Sequence, residues 1–341
     1  MNNLLCIVGP TGVGKTRLAE EIRKSFDFAP HHSVQDPAQN DQNPIGNVDL
    51  ISIDSRQVYI GMNIGTGKDA KILGTDLVAP KSLFSVAEFV RIVTPMIEKI
   101  WENSKLPILV GGTGFYLKAI IDGIETIEIP PNNKLRKELE KYSVPRLQEK
   151  LLSMYPYIYK LKGKRRKIKV EEKISEQAGM NNSDWNNPRR LIRKIEILYY
   201  SSVGEHLPVL PMGTTGRSSP TLKINKTLII GLTAPLPIIK QNIEHRVQER
   251  LDNGLLEEIN GLVKKYGWNE VLRNTIAYRE WEDFFAKKVT RDKTITKWTQ
   301  DEFDYAKRQL TWFKKDQRVM WLTDNFLERT LELIQSTHLL D

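Results

Sequence analysis

The octapeptide Gly9-Pro10-Thr11-Gly12-Val13-Gly14-Lys15-Thr16 constrains this 341-residue chain more than any other feature. It has the form G-x-x-x-x-G-K-[ST], whose glycines let the backbone curl until successive N–H groups point inward at phosphate oxygens. Residues 4–8 (LLCIV) precede it as a short apolar run, a buried-strand pattern, and an amphipathic stretch from Lys15 to about Phe26 follows. Strand, loop and helix in that order bring the positive end of a helix to the loop. Lys15 adds a point charge, and the Thr16 hydroxyl is the group suited to Mg²⁺. The motif predicts a phosphate or pyrophosphate site at Gly9–Thr16 without specifying ATP.

The alternation continues downstream. Asp49–Ile53 reads as a second strand ending at Asp54, Pro107–Val110 as a third ending at Gly111-Gly112, and Thr227–Leu232 as a later one. Ser85 and Glu88 form an S-x-x-E capping box before a helical stripe of Val86, Phe89, Val90, Val93 and Ile97, with Pro95 inside it as a possible kink. Strands alternating with helices predict an α/β core, a P-loop NTPase-like parallel sheet with helices on both faces. Residues 131–205 interrupt this pattern: they are charged and helical, with a dense basic run at Lys162–Lys169, and predict a mainly helical insertion domain between core segments 1–130 and 206–341. Helices are expected from Leu232 to the C-terminus. The polar segment 27–47 reads as a loop, and its His31-His32 pair has no further ligand at useful spacing.

Charge separates these regions. Lys+Arg number 51 against 42 Asp+Glu, a net of +9; residues 1–130 carry −3 and residues 131–341 carry +12. A basic second part suits a polyanionic partner, or else a lysine-rich solvated surface. No window approaches 18 uncharged apolar residues, so no membrane span is expected. No basic segment precedes an apolar stretch at the N-terminus, so no signal peptide is expected either. A single cysteine, Cys6, makes no internal disulfide and suits a reducing, cytoplasmic setting.

Three further places carry possible chemistry. Asp54 ends the second strand, at the edge of the sheet that faces a ligand crevice. It could hold Mg²⁺ through water, take a proton, or simply cap a helix. Val110–Tyr116, with Gly111-Gly112-Thr113-Gly114, suits close approach to a polar group, or is a structural turn. The clusters Asn187–Lys194 and Tyr305–Lys315 interleave cations with aromatics. In the second, Phe303, Ala306, Leu310 and Phe313 share one helical face, and Tyr305, Arg308, Gln309 and Trp312 share another. Such a face suits phosphate contacts and base stacking, and equally an ordinary amphipathic surface helix.

Together, GPTGVGKT, ISIDSRQVYIGMNIGTGK, VGGTGFYLKAII, PPNNKLRKELE, NPRRLIRKIEIL, HRVQERLDNGLLEEI, IAYREW and YAKRQLTWF span residues 4–320 and resemble the tRNA dimethylallyltransferase (tRNA isopentenyltransferase) family. The resemblance implies prenyl transfer from dimethylallyl diphosphate to N6 of the adenosine next to the anticodon, position 37 of tRNA, with release of diphosphate. The P-loop would then hold a pyrophosphate leaving group, with Mg²⁺ near Thr16. Asp54 would be the general base, Thr113 a hydroxyl near base and diphosphate, and Arg246 a neutraliser of the leaving group. The positions implied to grip the anticodon stem-loop are Asp54, Ser55, Arg56, Gln57, Thr113, Arg136, Arg189, Arg190, Arg193, Tyr278, Arg279, Lys307, Arg308, Gln309 and Trp312, in a chain expected to act as a monomer. The chain departs from the family pattern at Gly67-Lys68-Asp69, at Asn242 for a usual Arg, at Ala277 for a usual Gly, and in extra segments near 27–48 and 161–183. Two alternatives are an isopentenyltransferase acting on free adenine nucleotides and a P-loop small-molecule kinase with Asp54 activating the acceptor. A GTPase-like module is disfavoured because no guanine-reading NKxD pattern is present.

Overall fold

A computed structural model describes residues 2–27, 48–68, 72–127, 129–154, 180–203 and 222–340. In chain order the core contains β1 (Asn3–Val8), α1 (Lys15–Asp27), β2 (Val48–Ser52), α2 (Val86–Glu102), β3 (Leu106–Gly111) and α3 (Gly114–Ile121). Then come α4 (Asn133–Leu139), α5 (Val144–Ser153), α6 (Asn182–Trp185) and α7 (Pro188–Val203). The chain continues through β4 (Lys226–Leu232), α8 (Leu236–Asp252), α9 (Leu255–Tyr266), α10 (Glu270–Arg273), α11 (Glu282–Phe285), α12 (Arg291–Phe313), β5 (Val319–Leu322) and α13 (Phe326–Ser336). It divides into two compact units, residues 1–122 with 221–341, and residues 123–220.

In the first unit the strands form one parallel sheet in the order β2-β3-β1-β4-β5, the α/β architecture read from the alternating pattern. Parallel strands covered on both sides read as continuous apolar runs, as LLCIV does. Leu5, Ile7, Leu50, Ile108 and Ile230 pack with Leu18 and Ile22 of α1 and Ile334 of α13. The alternate residues Leu4, Cys6, Ile51, Leu109 and Ile229 are equally buried, and α2 packs against β3. Each such Leu or Ile side chain contributes roughly 1.5–3 kcal/mol by leaving water.

The capping box forms as expected. Ser85 Oγ accepts the Glu88 N–H at 3.2 Å, and the Glu88 carboxylate takes the Ser85 N–H at 2.8 Å. Pro95 lies within α2 without ending it. The C-terminal region corrects the sequence reading, because it is not wholly helical. Val319–Leu322 adds strand β5 beside β4. Its four residues, with Met320 43% exposed at the sheet edge, are an apolar run whose periodicity cannot tell a strand from a continuing helix.

The described residues of the second unit form the helices α4 to α7. Leu139, Leu147, Leu151, Trp185, Leu191 and Ile195 form its core. Beside them Glu196, 2% exposed, accepts Arg136 Nε at 2.7 Å, Arg136 Nη2 at 2.8 Å and the Asn132 N–H at 2.8 Å. A buried carboxylate so fully bonded is retained; stripped of its partners it would cost several kcal/mol. The Lys162–Lys169 run, the His31-His32 pair and residues 28–47 lie outside the described residues.

Candidate active site

In an open parallel sheet, ligands bind outside the carboxyl ends of the strands. Here three of those ends carry the residues singled out above. β1 leads into Gly9–Thr16 and α1 begins at Lys15; β2 ends two residues before Asp54; β3 leads into Gly112 and Thr113. Two helices complete the wall: α8, after β4, brings Arg246 and Arg250, and α12 brings Tyr305, Arg308 and Gln309. They enclose a pocket of about 870 Å³, at the upper end of the range for small-molecule sites.

The cationic end of the pocket is tightly arranged. Arg246 Nη1 donates to Thr11 Oγ1 at 3.0 Å, and Lys15 Nζ donates to the Pro10 carbonyl at 2.7 Å. Burial of the ammonium and, secondarily, the Arg246 charge pull the Lys15 pKa down to about 7, against a smaller opposing pull from Asp54. Gln309 spans two loops: its Oε1 accepts the Thr11 N–H at 2.8 Å and its Nε2 donates to the Gly112 carbonyl at 3.1 Å. Gly112 is required for this approach, since a Cβ there would run into the Gln309 amide.

Asp54 does not cap a helix. It opens a turn in which Oδ1 accepts the Arg56 N–H at 2.8 Å, an Asx turn that holds the carboxylate at the pocket wall. Thr113 begins α3 without a side-chain cap bond; its Oγ1 instead accepts the Ser55 N–H at 3.1 Å, tying the third loop to the second. Tyr305 is half-buried, and desolvation of its hydroxyl followed by the nearby Asp54 charge pushes its pKa up to about 12, so it stays a neutral hydrogen-bonding group.

The pocket brings together Thr11, Gly12, Gly14, Lys15, Thr16, Asp54, Ser55, Arg56, Gln57, Arg246, Arg279, Arg308 and Gln309. Arg279 is paired with Glu280 at 2.6 Å and Asp301 at 2.8 Å; exposed Arg308 lies over the Tyr305 ring. Trp312 is 41% exposed against Gly114, and Lys307 pairs with Asp304. Arg136, Arg189, Arg190 and Arg193 belong to the other unit. There Arg189 is exposed, Arg190 pairs with Asp184, and Arg193 donates to the Thr126 and Ile129 carbonyls.

Two residues expected to grip RNA are engaged within the protein. Tyr278 is fully buried with its hydroxyl donating to Glu258 at 2.6 Å, and Gln309 is 5% exposed with its amide spent on the two loops. Gln309 thus shares the buried face of α12 with Glu302, Ala306 and Phe313, while Phe303 and Leu310 are half-buried. Sequence reasoning also missed Arg250, whose Nη1 meets Glu302 at 2.9 Å with both groups largely buried. Its signal was present: Arg250 follows Arg246 by four residues, one helical turn on the same face. Among the described residues no cluster of three His, Cys, Asp or Glu could hold a metal, and no helix is long and apolar enough to cross a membrane.

Comparison with known proteins identifies the family. The family model described as IPP transferase matches residues 57–316, a stretch that begins past both the P-loop and Asp54 and so is independent of them. The chain is 33% identical over 331 residues to tRNA dimethylallyltransferase 1 of Geotalea daltonii, covering 94% of this chain and 90% of the relative. It is also 33% identical over 331 residues to the tRNA dimethylallyltransferase of Pediococcus pentosaceus, covering 94% and 91%. The solved full-length tRNA isopentenylpyrophosphate transferase of Bacillus halodurans superposes with a TM-score of 0.62 at 29% identity, over 100% of this chain and 97% of that one. The family model covers most of the chain and both relatives match nearly all of it: the chain belongs to the IPP transferase family.

Proposed function

We propose that this protein transfers the dimethylallyl group of dimethylallyl diphosphate to N6 of the adenosine adjacent to the anticodon, position 37, in tRNA. The observation that carries this reading is the two-sided pocket: phosphate-binding backbone with Lys15 and Arg246 on one wall, and the Asp54 carboxylate on another. In the reaction the allylic C–O bond breaks and its electron pair leaves on diphosphate. The N6 lone pair forms the new C–N bond, and the amine proton passes to Asp54 acting as general base. Loop amides, Lys15 and Arg246 stabilise the charge that grows on the leaving oxygens. Thr113, bonded to Ser55 beside Asp54, positions the acceptor side.

The pocket's oxygen donors near the P-loop, the Thr16 hydroxyl and the Asp54 carboxylate, are hard ligands of the kind Mg²⁺ takes. Thr16 and the donor's own phosphate oxygens would hold the ion, which would supply further neutralising charge to the leaving group.

A base inside an anticodon stem-loop must be extruded to reach such a pocket. Arg56, Arg279 and Arg308 line it, and the +12 balance of residues 131–341 suits RNA phosphates. The protein acts as a cytoplasmic monomer in this reading. Incubation with labelled dimethylallyl diphosphate, or with labelled ATP, in the presence of tRNA or AMP tests it. Label transferred to tRNA from the prenyl donor is the expected result. Label on AMP would favour a free-nucleotide enzyme, and phosphate transfer from ATP a kinase.

A further inference from the structure

The segment GMNIGTGK, residues 61–68, is one of the most distinctive stretches of the chain, yet the reaction above gives it no task. It is neither helix nor strand, and one carboxylate holds it. Glu258 on α9 accepts the Asn63 and Ile64 N–H groups on Oε2, both at 2.8 Å, and the Gly65 N–H on Oε1 at 3.1 Å. The Tyr278 hydroxyl donates to the same Oε1 at 2.6 Å, and its buried ring lies against Gly65. Gln57 Nε2 in turn donates to the Thr66 carbonyl at 3.2 Å and the Gly67 carbonyl at 3.0 Å. Ionised acceptors make the stronger hydrogen bonds, so a carboxylate with all these donors on it is a stiff fixture.

The other end of the segment faces the pocket. Gly67 has φ 66° and its missing Cβ would come within 2.9 Å of Arg246 Nη2 and 2.9 Å of Arg250 Nη2. The loop backbone is therefore the surface against which both guanidinium groups are set. Anchored at residues 63–65 and pressed at residue 67, it couples Glu258 to the cationic end of the pocket. None of the lining of that pocket includes Glu258 itself.

We propose that Glu258 is a positioning residue for the diphosphate grip: by fixing the 63–65 amides it holds the Gly67 backbone, and so sets Arg246 and Arg250 in place. This rests on the pocket being the donor site. Preorganised charge works only while it is held, and a displacement near 1 Å can lower a rate about 100-fold.

The test uses the full chain and titrates dimethylallyl diphosphate calorimetrically into wild type, Lys15→Ala, Glu258→Ala, Glu258→Gln and Tyr278→Phe. It also measures tRNA affinity at one fixed salt concentration and hydrogen exchange across residues 62–68. If wild type and Lys15→Ala bind the donor equally, the pocket assignment itself fails, separately from the role of Glu258. With that assignment standing, Glu258→Ala should lose protection at residues 63–65 and bind the donor about 10-fold more weakly, with tRNA affinity within about 2-fold. Tyr278→Phe, which keeps the amide contacts, should show a smaller change of the same kind. Lost protection with unchanged donor affinity overturns the proposal, as does an equal loss of donor and tRNA affinity. Should Glu258→Ala not fold, Glu258→Gln and Tyr278→Phe decide by the same criteria.

Discussion

Raising the pH from 7 to 9 should loosen donor binding through Lys15 alone. Its ammonium lies beside Arg246 in the pocket and has a pKa near 7, against an ordinary 10.5, because burial and then the Arg246 charge disfavour the proton. The bound diphosphate reverses that penalty, so the bound site keeps the proton that the free site loses. The sign follows: between about pH 7 and 10 the complex holds more protons than the free protein, so binding takes up a proton and weakens as pH rises. If only the ammonium form grips, the apparent Kd scales as 1 + 10^(pH − 7), roughly 2 at pH 7 and roughly 100 at pH 9. The predicted loss is about 50-fold, an upper figure because Lys15 is only partly buried. The last ionisation of the diphosphate, with a pKa of about 6, is about nine-tenths complete at pH 7 and opposes this trend by only about 10%. Calorimetry in two buffers of different ionisation enthalpy should report about half a proton taken up at pH 7 and nearly one at pH 8.5. Lys15→Arg, with a guanidinium that does not titrate, should remove the slope. A wild-type Kd equal at pH 7 and 9, with no proton uptake, would refute the reasoning.

Other changes should act at single points of the structure. Asp54→Asn should lower turnover at least about 100-fold while tRNA affinity stays within a few-fold, measured by single-turnover prenylation and filter binding; near-normal turnover would leave Asp54 only its turn-forming role. Ala277 sits at φ 76°, fully buried, in the left-handed region that penalises a Cβ. Ala277→Gly should therefore raise stability by about 0.5–1 kcal/mol, the relief of strain less the added freedom of the unfolded chain, seen as a Tm rise of about 1–2 °C. Gly112→Ala, by displacing the Gln309 amide that joins Thr11 to Gly112, should weaken donor binding more than tRNA binding in paired titrations. tRNA affinity should fall steeply between about 50 and 200 mM salt, and a flat profile would remove the electrostatic account of the basic region.

What the sequence disclosed follows the range of the forces involved. The P-loop, α1 and the Ser85–Glu88 box are local, set by glycines and side chains a few residues apart, and they form as read. The parallel sheet was legible because β1 to β4 are apolar runs with helices between them. β5 escaped because four residues at a half-exposed edge carry no periodicity, and only pairing with β4 makes them a strand. The site divides in the same way. Lys15, Thr16 and Asp54 are placed by strand ends and could be located in advance. The roles of Gln309, Tyr278 and Glu258 depend on contacts across 298, 20 and 195 residues of sequence, which no local spacing encodes. A face drawn at helical spacing put Gln309 outward, whereas its amide is worth more buried between two loops that each need a partner.

A structure of the protein bound to a non-reactive thiolodiphosphate analogue of the donor and an anticodon hairpin tests the central claim most directly. It should show the terminal phosphates within hydrogen-bond reach of Lys15, Arg246 and the amides of residues 12–16, and an extruded adenine with its amino group on the Asp54 carboxylate. Phosphates bound elsewhere, or an adenine amine out of reach of that carboxylate, would contradict it.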